Sequence, residues 1–220
     1  MSSRDEILAT LRAARNASQS AAPSTEVPRD YRLEGDDSPG SAPVLAEFVE
    51  KLEDYHVEVH RIAAEAIPET ISSVLDARGA ESVVVPAGLD SSWTEAAGAG
   101  NRLLRVDSAE RPLSKDELDA THAVVTASRT AVSLSGTIIL DGEADQGRRI
   151  ITLLPDLHLC VVNASAVQAT VPQAVSIIGE NPTRPTTWIA GGSATSDIEL
   201  VRVDGVHGPR SLVVLLIEDL

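Results

Sequence analysis

Short runs of branched aliphatic residues, set apart by polar or helix-patterned stretches, constrain this chain most. They lie at Ser82 to Val85, Arg102 to Val106, Ala123 to Thr126, Thr137 to Leu140, Ile150 to Leu154, Leu159 to Val162 and Leu212 to Ile217. Each is too short for a core helix and apolar throughout rather than alternating. Such runs mean strands covered on both faces, the situation of a parallel sheet flanked by helices. Aromatic residues make up only 2% of the chain, so the core must be built from Val, Ile, Leu and Ala.

Helix signals fall between these runs. Ser3 and Glu6 have capping-box spacing, with Ile7, Leu8, Leu11 and Ala14 behind them, which predicts a helix over about 3–16. Leu45, Phe48, Val49 and Leu52 mark a second helix, and Val57 to Val59 a short strand. Ile67 to Arg78 reads as a helix with Pro68 early and Gly79 as its stop. Ser114 to Leu118 and Val167 to Ile178 read as helical, and Thr187 to Ala190 as a strand. The closely spaced runs between 137 and 162 have no helix between them, so a β-meander or antiparallel insertion is expected there. The reading is a three-layer α/β/α fold with a mostly parallel sheet.

Residues 18–42 are rich in Ser, Ala, Pro, Gly and Asp without periodicity and read as a linker. The organisation expected is a helix at 1–17, a linker at 18–42 and an α/β domain at 43–220. The isolated first helix is either a plain surface element or one that docks on a partner or a second copy, which leaves homo-oligomerisation open.

Charge and cysteine content exclude several classes. A formal net charge of −15 argues against nucleic acid and against polybasic contact with an anionic membrane. Cys160 is the single cysteine, so neither an intrachain disulfide nor a cysteine-held iron–sulfur cluster can form within the chain. Its place in an apolar run suits a small buried residue better than a reactive thiol. The first residues lack the apolar stretch of a signal peptide, and no run approaches a membrane span, so a cytoplasmic protein is expected. No phosphate loop, dinucleotide fingerprint, nucleophile elbow or His-Glu-x-x-His is present. His56 and His60 flank a strand with nothing nearby to complete a metal set; no metal and no cofactor are expected.

Candidate site residues gather late in the chain. Gly191, Gly192, Ser193, Ala194, Thr195, Ser196, Asp197, Ile198 and Glu199 form one cluster, and Gly205 to Arg210 another. Glycines permit sharp turns or close backbone approach, and hydroxyls before an acid suit a helix start. Asp197 and Glu199 could act as acid or base, or Asp197 could cap a helix; His207 sits in a turn between Gly205 and Gly208. The stretch from Thr126 to Thr137 reads as a strand end, a short polar helix and a Ser135-Gly136-Thr137 turn. That turn would either hold an anion or simply stop a helix. Gly147, Arg148 and Arg149 precede an apolar run, and the arginines would clamp an anion or pair with surface carboxylates. His158, inside an apolar run, reads as a hydrogen-bonded core histidine.

Jointly, Leu134 to Leu140, Gly147-Arg148-Arg149 leading to Leu153-Leu154-Pro155, Gly192 to Glu199 and Gly205 to Pro209 resemble the LutC/YkgG-type lactate-utilisation (LUD domain) proteins. The resemblance is strong over about 120–218. It implies a fold similar to the NagB/RpiA/CoA-transferase group and a subunit role in oxidising L-lactate to pyruvate beside iron–sulfur partner proteins. The candidate binding residues, read from the turns and arginines above, are Ser135, Gly136, Thr137, Gly147, Arg148, Gly192, Ser193, Thr195, His207, Gly208 and Arg210, which would take a small organic anion or a partner protein. The alternative is a stand-alone enzyme on a phosphorylated or CoA-linked small molecule. Leu134 stands where relatives typically carry a glutamate, which removes the counterpart of a CoA-transferase carboxylate. His207, Asp197, Ser193 and Arg148 are expected to converge on one pocket at the ends of the sheet strands, with Arg148→Ala leaving the melting temperature little changed.

Overall fold

The computed structural model of the chain describes residues 3–19, 28–195, 203–204 and 208–218. It divides into two units, residues 1–32 and 33–220. The first holds helix α1 (Ser3–Gln19), whose Ile7 and Leu11 are exposed. The second begins at Leu33, earlier than the boundary read at 43. Residues 33–41 are tied to the later chain: Gly40 N donates to Val167 O at 2.9 Å, and Thr170 Oγ1 donates to Leu33 O at 3.1 Å.

Six strands form a parallel sheet: β1 (Glu58–Ile62), β2 (Ser82–Pro86), β3 (Leu103–Asp107), β4 (Ala123–Thr126), β7 (Leu157–Asn163) and β12 (Ser211–Ile217), in the order β1-β12-β7-β4-β2-β3. Alternate residues of these strands face opposite sides. Val83, Val85, Val125, Leu159, Leu215 and Ile217 pack against helix α3 (Ile67–Ala77) and helix α4 (Ser91–Ala97). Cys160, Val162, Leu212, Val214 and Leu216 pack on the other side against helix α2 (Ala42–Asp54) and a second sheet. Phe48 of α2, the chain's only phenylalanine, is fully buried there. Burial of such a side chain contributes roughly 1.5–3 kcal/mol. On β2 and β4, Val84 and Val124 meet Leu118 of helix α5 (Lys115–Asp119). Helices therefore cover both faces, which explains why the strands read as unbroken apolar runs.

The second sheet comprises β5 (Thr130–Val132), β6 (Thr137–Leu140), β8 (Val167–Gln168) and β9 (Thr187–Ile189), in the order β8-β5-β6-β9, with β5-β6 and β6-β9 antiparallel. An antiparallel insertion thus exists and includes the runs read at Thr137 to Leu140 and Thr187 to Ala190, but the other two runs expected between 137 and 162 are not part of it. Leu157–Asn163 belongs to the parallel sheet. Ile150 to Leu154 is not a strand: a 3-10 turn spans Arg149–Thr152 and drops Ile151 into the core beside Val84 and Val124. The segment from Val167 is a strand first, because the capping pair Thr170–Gln173 and an early proline start helix α6 (Val171–Ile178) only at Val171. A two-stranded ribbon pairs β10 (Ala194–Thr195) with β11 (Val203–Asp204). No helix among the described residues is long and apolar enough to cross a membrane.

Candidate functional site

Two neighbouring cavities of the second unit share lining residues. The larger, about 440 Å³, opens where β2 and β3 end, and is lined by Gly88, Asp107, Asp141, Gly147, Arg148 and Arg149 among others. Carboxyl ends of parallel strands are where open α/β sheets place ligands. The loop after β6 lies directly on this rim. Gly88 N donates to Ala144 O at 3.0 Å, Ala127 N donates to Asp145 O at 3.1 Å, and a Cβ on Gly88 would meet the Ala144 backbone at 2.6 Å. Gly88 permits that approach, and Gly147, at φ 71°, lets the loop turn back beside Pro86.

The carboxylates of this rim have different fates. Asp107, at the last position of β3, accepts from Leu113 N at 2.9 Å and from two nitrogens of Arg148. Arg148 also donates to Leu113 O at 3.0 Å, so its fork is committed to the protein rather than to a ligand. The bond to Asp107 holds the Arg148 guanidinium above its ordinary pKa. Asp141 is buried, with Oδ2 near Arg184 Nη1 at 3.4 Å and Arg129 Nε at 3.8 Å. Its Oδ1 has no hydrogen-bond partner among the described residues. Arg184 also grips Glu143, which holds that carboxyl below its usual range; burial pushes Asp145 above it.

The smaller cavity, about 250 Å³, is lined by Arg149, Thr152, His158, Gly192, Ser193 and Gly208 among others. It lies against the first residues of β7 and β12, where His158 and Leu212 are in register. The glycine pair after β9 shapes it. A Cβ on Gly191 would meet Tyr55 Cβ at 2.7 Å, and one on Gly192 would meet Arg210 O at 2.8 Å. Ser193 N donates to Pro209 O at 2.8 Å, which holds the two glycine-containing segments together. Arg149, Thr152 and Thr187 line both cavities. Arg149 is exposed; its carbonyl accepts from Thr152 Oγ1 at 3.0 Å, while its guanidinium makes no hydrogen bond or ion pair with any described residue.

His158 is 1% exposed, and its Nε2 lies 2.8 Å from Thr126 Oγ1. Burial lowers its pKa to about 4, so the ring is neutral at pH 7. Cys160 lies two residues on, and burial pushes its thiol up to about 12.

The residues expected to act together are therefore distributed. Gly147 and Arg148 line the larger cavity; Gly192, Ser193 and Gly208 line the smaller one. The expected convergence of Arg148 with Ser193 is not what the structure shows. The reason is topological: the Gly191-Gly192 turn follows β9 of the second sheet, not a strand of the parallel sheet. Arg148, expected to carry little stability, pairs with the buried carboxylate of Asp107. Ser135, Gly136 and Thr137 line neither cavity. Gly136, at φ 59°, faces the Lys51 backbone of α2, and the Ser135 and Thr137 hydroxyls bond each other at 2.8 Å. Leu134 is exposed. Arg210 lies 3.6 Å from Asp156 on the surface and lines neither cavity. Thr195 falls on the β10–β11 ribbon. His207, Asp197 and Glu199 lie outside the described residues.

Two residues of interest, Asp107 and Asp141, lie outside the candidate set. Asp107 ends a strand before a Ser-Ala-Glu turn, a signal that was legible. Arg149 is a clamp candidate together with Arg148, but nothing local says which of two adjacent arginines is already paired. Asp141, followed by Gly142, carries only a turn signal in the sequence.

Comparison with known proteins places this geometry among relatives. The LUD domain family matches residues 45–217. "Lactate utilization protein C" of Deinococcus radiodurans is 44% identical over 178 residues, covering 80% of each chain. The protein of the same name from Bacillus subtilis is 32% identical over 119 residues, covering 51% of this chain and 48% of that one. A crystal structure of a DUF162 family protein from Deinococcus radiodurans superposes with a TM-score of 0.67 at 37% identity, covering 80% of this chain and 97% of that one.

Proposed function

The chain belongs to the LUD domain family, and on that premise we propose that it serves lactate utilisation as a subunit that binds a small organic anion while L-lactate is oxidised to pyruvate. Arg149 carries this reading: a guanidinium without a protein partner, in the wall shared by two cavities, is a ready receptor for a carboxylate. The surrounding charge sharpens it. In a chain of net charge −15, a cation left unpaired beside a cavity is an exception among surplus carboxylates. Oxidation of lactate releases two electrons, which iron–sulfur partner proteins in the cytoplasm would accept. The single cysteine of this chain cannot supply the thiolates that hold such a cluster.

Deleting the gene tests this reading. The deletion strain should fail to grow on L-lactate as sole carbon source, grow normally on pyruvate, and recover with the wild-type gene. Unimpaired growth on lactate would overturn it. Co-purification of cysteine-rich iron–sulfur proteins with the tagged chain from lactate-grown cells tests the partner assignment.

A second reading rests on the larger cavity. At about 440 Å³ it falls within the roughly 300–1,000 Å³ range that suits a drug-sized ligand, far more room than a three-carbon acid fills. Under this reading the chain is a stand-alone enzyme on a phosphorylated or CoA-linked small molecule. Saturable binding of such a compound, but not of lactate, by the purified chain would favour it.

A further inference from the structure

Helix α1 carries an apolar stripe in solvent and a charge pattern that reverses along its length. Ile7, Leu8 and Leu11 fall within about 100° of the helix circumference, and Ile7 and Leu11 are 59% and 61% exposed. Arg4 and Arg15 lie on the same arc and close the stripe at its two ends. Residues 3–10 hold Arg4, Asp5 and Glu6, a net −1, and residues 11–19 hold Arg12 and Arg15, a net +2. Asp5 and Arg12 are two helical turns apart, so they share one flank of the stripe. A helix of 17 residues is marginal in water without packing, and its large apolar side chains are all on this stripe.

We propose that α1 is the self-association element of this chain and packs antiparallel on α1 of a second copy, about a two-fold axis. The stripe fixes the alignment. A pairing centred near Leu8 and Ala9 sets Ile7 of each copy against Leu11 of the other, while the long stems of Arg4 and Arg15 reach past the ends. Asp5 then comes opposite Arg12 of the second copy, twice by symmetry. The same rotation lays the −1 half of each helix along the +2 half of the other, whereas a parallel pair would set like charge against like. Charge also selects this occupant over an acidic surface. The rest of the chain holds 15 of the 18 basic and 31 of the 33 acidic residues, a net −16, to which α1 offers only +1. An acidic surface would gain at the arginines and lose at Asp5 and Glu6; a second α1 complements both signs. Three apolar side chains per copy make a small interface, so the dimer forms reversibly and with concentration.

Sedimentation velocity of the full chain, from about 5 to about 500 µM at about 0.15 M salt, tests this. The wild-type mass should rise from one chain toward two across the range. Ile7→Gln combined with Leu11→Gln, which keeps good helix formers, should stay at one chain throughout. Arg12→Glu sets acid against acid at both symmetric contacts and should weaken the dimer about tenfold. Adding Asp5→Arg to Arg12→Glu should bring the affinity back to within about threefold of the wild type. That rescue separates the pairing from helix stability alone, because an arginine in the first turn opposes the helix dipole and would otherwise weaken the helix further. Should a variant lose helix by circular dichroism, hydrogen exchange of the wild type decides: amides of residues 7–15 should gain protection as concentration rises. A wild type that stays monomeric, whether alone or with α1 seated on another protein, would overturn the proposal. So would a dimer that survives both glutamines, an Arg12→Glu defect that Asp5→Arg deepens, or exchange indifferent to concentration.

Discussion

Arg148 holds Asp107 through both Nε and Nη2, at 2.8 Å from Oδ2 and 2.5 Å from Oδ1, on a carboxylate side chain that is only 1% exposed. This pair joins the end of β3 to the loop that precedes the Arg149–Thr152 turn. Removing the arginine would leave a buried charge with one backbone donor. Because Arg148 itself is partly solvated, the loss should sit below that of a fully buried pair, at about 2 kcal/mol. Arg148→Ala should therefore lower the melting temperature by roughly 4–8 °C in a chain of this size. An unchanged melting temperature would mean the pair contributes nothing.

Gly147 works through its backbone. At φ 71°, an added Cβ would be strained and would lie 2.8 Å from Ile151 Cδ1 and 2.9 Å from Pro86 Cβ. Gly147→Ala should cost about 1–3 kcal/mol in urea denaturation, with an unchanged slope. A neutral effect would show that the loop shifts freely.

The stability of the chain should fall with pH through His158. Its pKa is about 4 when folded against an ordinary 6.5, so the unfolded chain takes up the proton first. The contribution is fully present above about pH 6.5 and is lost as pH falls toward 4, reaching about 2 kcal/mol of loss at pH 5. Urea titrations at pH 7.5 and 5 should show a smaller difference for His158→Gln by about that amount. Equal pH dependence in both chains would contradict the buried neutral ring.

Cys160 should be unreactive while the chain is folded. Burial holds its thiol near 12, so almost no thiolate exists at pH 8. Labelling with N-ethylmaleimide at pH 8 should follow global unfolding and become rapid in urea. Stoichiometric labelling of the native chain would place the thiol on the surface.

Much of the fold was legible because burial on both faces leaves an unmistakable trace. The runs at 82–85, 123–126 and 212–217 are core strands, and their flanking helices carry apolar residues at helical spacing. Ile150 to Leu154 misled because apolar content does not distinguish a strand from a turn that plants Ile151 in the core. The short polar helix expected between Thr126 and Thr137 is instead the strand Thr130–Val132 and a 3-10 turn at Ser133–Ser135, because a three-residue strand carries too little pattern to be told apart. The site was harder still. The glycines at 191 and 192 mark a place of tight backbone approach, but spacing cannot reveal that this segment and the one holding Gly147 face different cavities. Nor can it reveal that Asp107, forty-one residues before Arg148, has already claimed that arginine.

The central claim is that Arg149 is the anion receptor of this chain, and titration of purified wild type and Arg149→Ala with L-lactate tests it most directly. The wild type should bind one equivalent saturably. Arg149→Ala should bind at least about tenfold more weakly, because a hydrogen-bonded charge pair with the ligand is lost. Its melting temperature should be unchanged, because the guanidinium holds no described residue in place. Equal affinity in the two chains, or no binding by the wild type, would contradict the account.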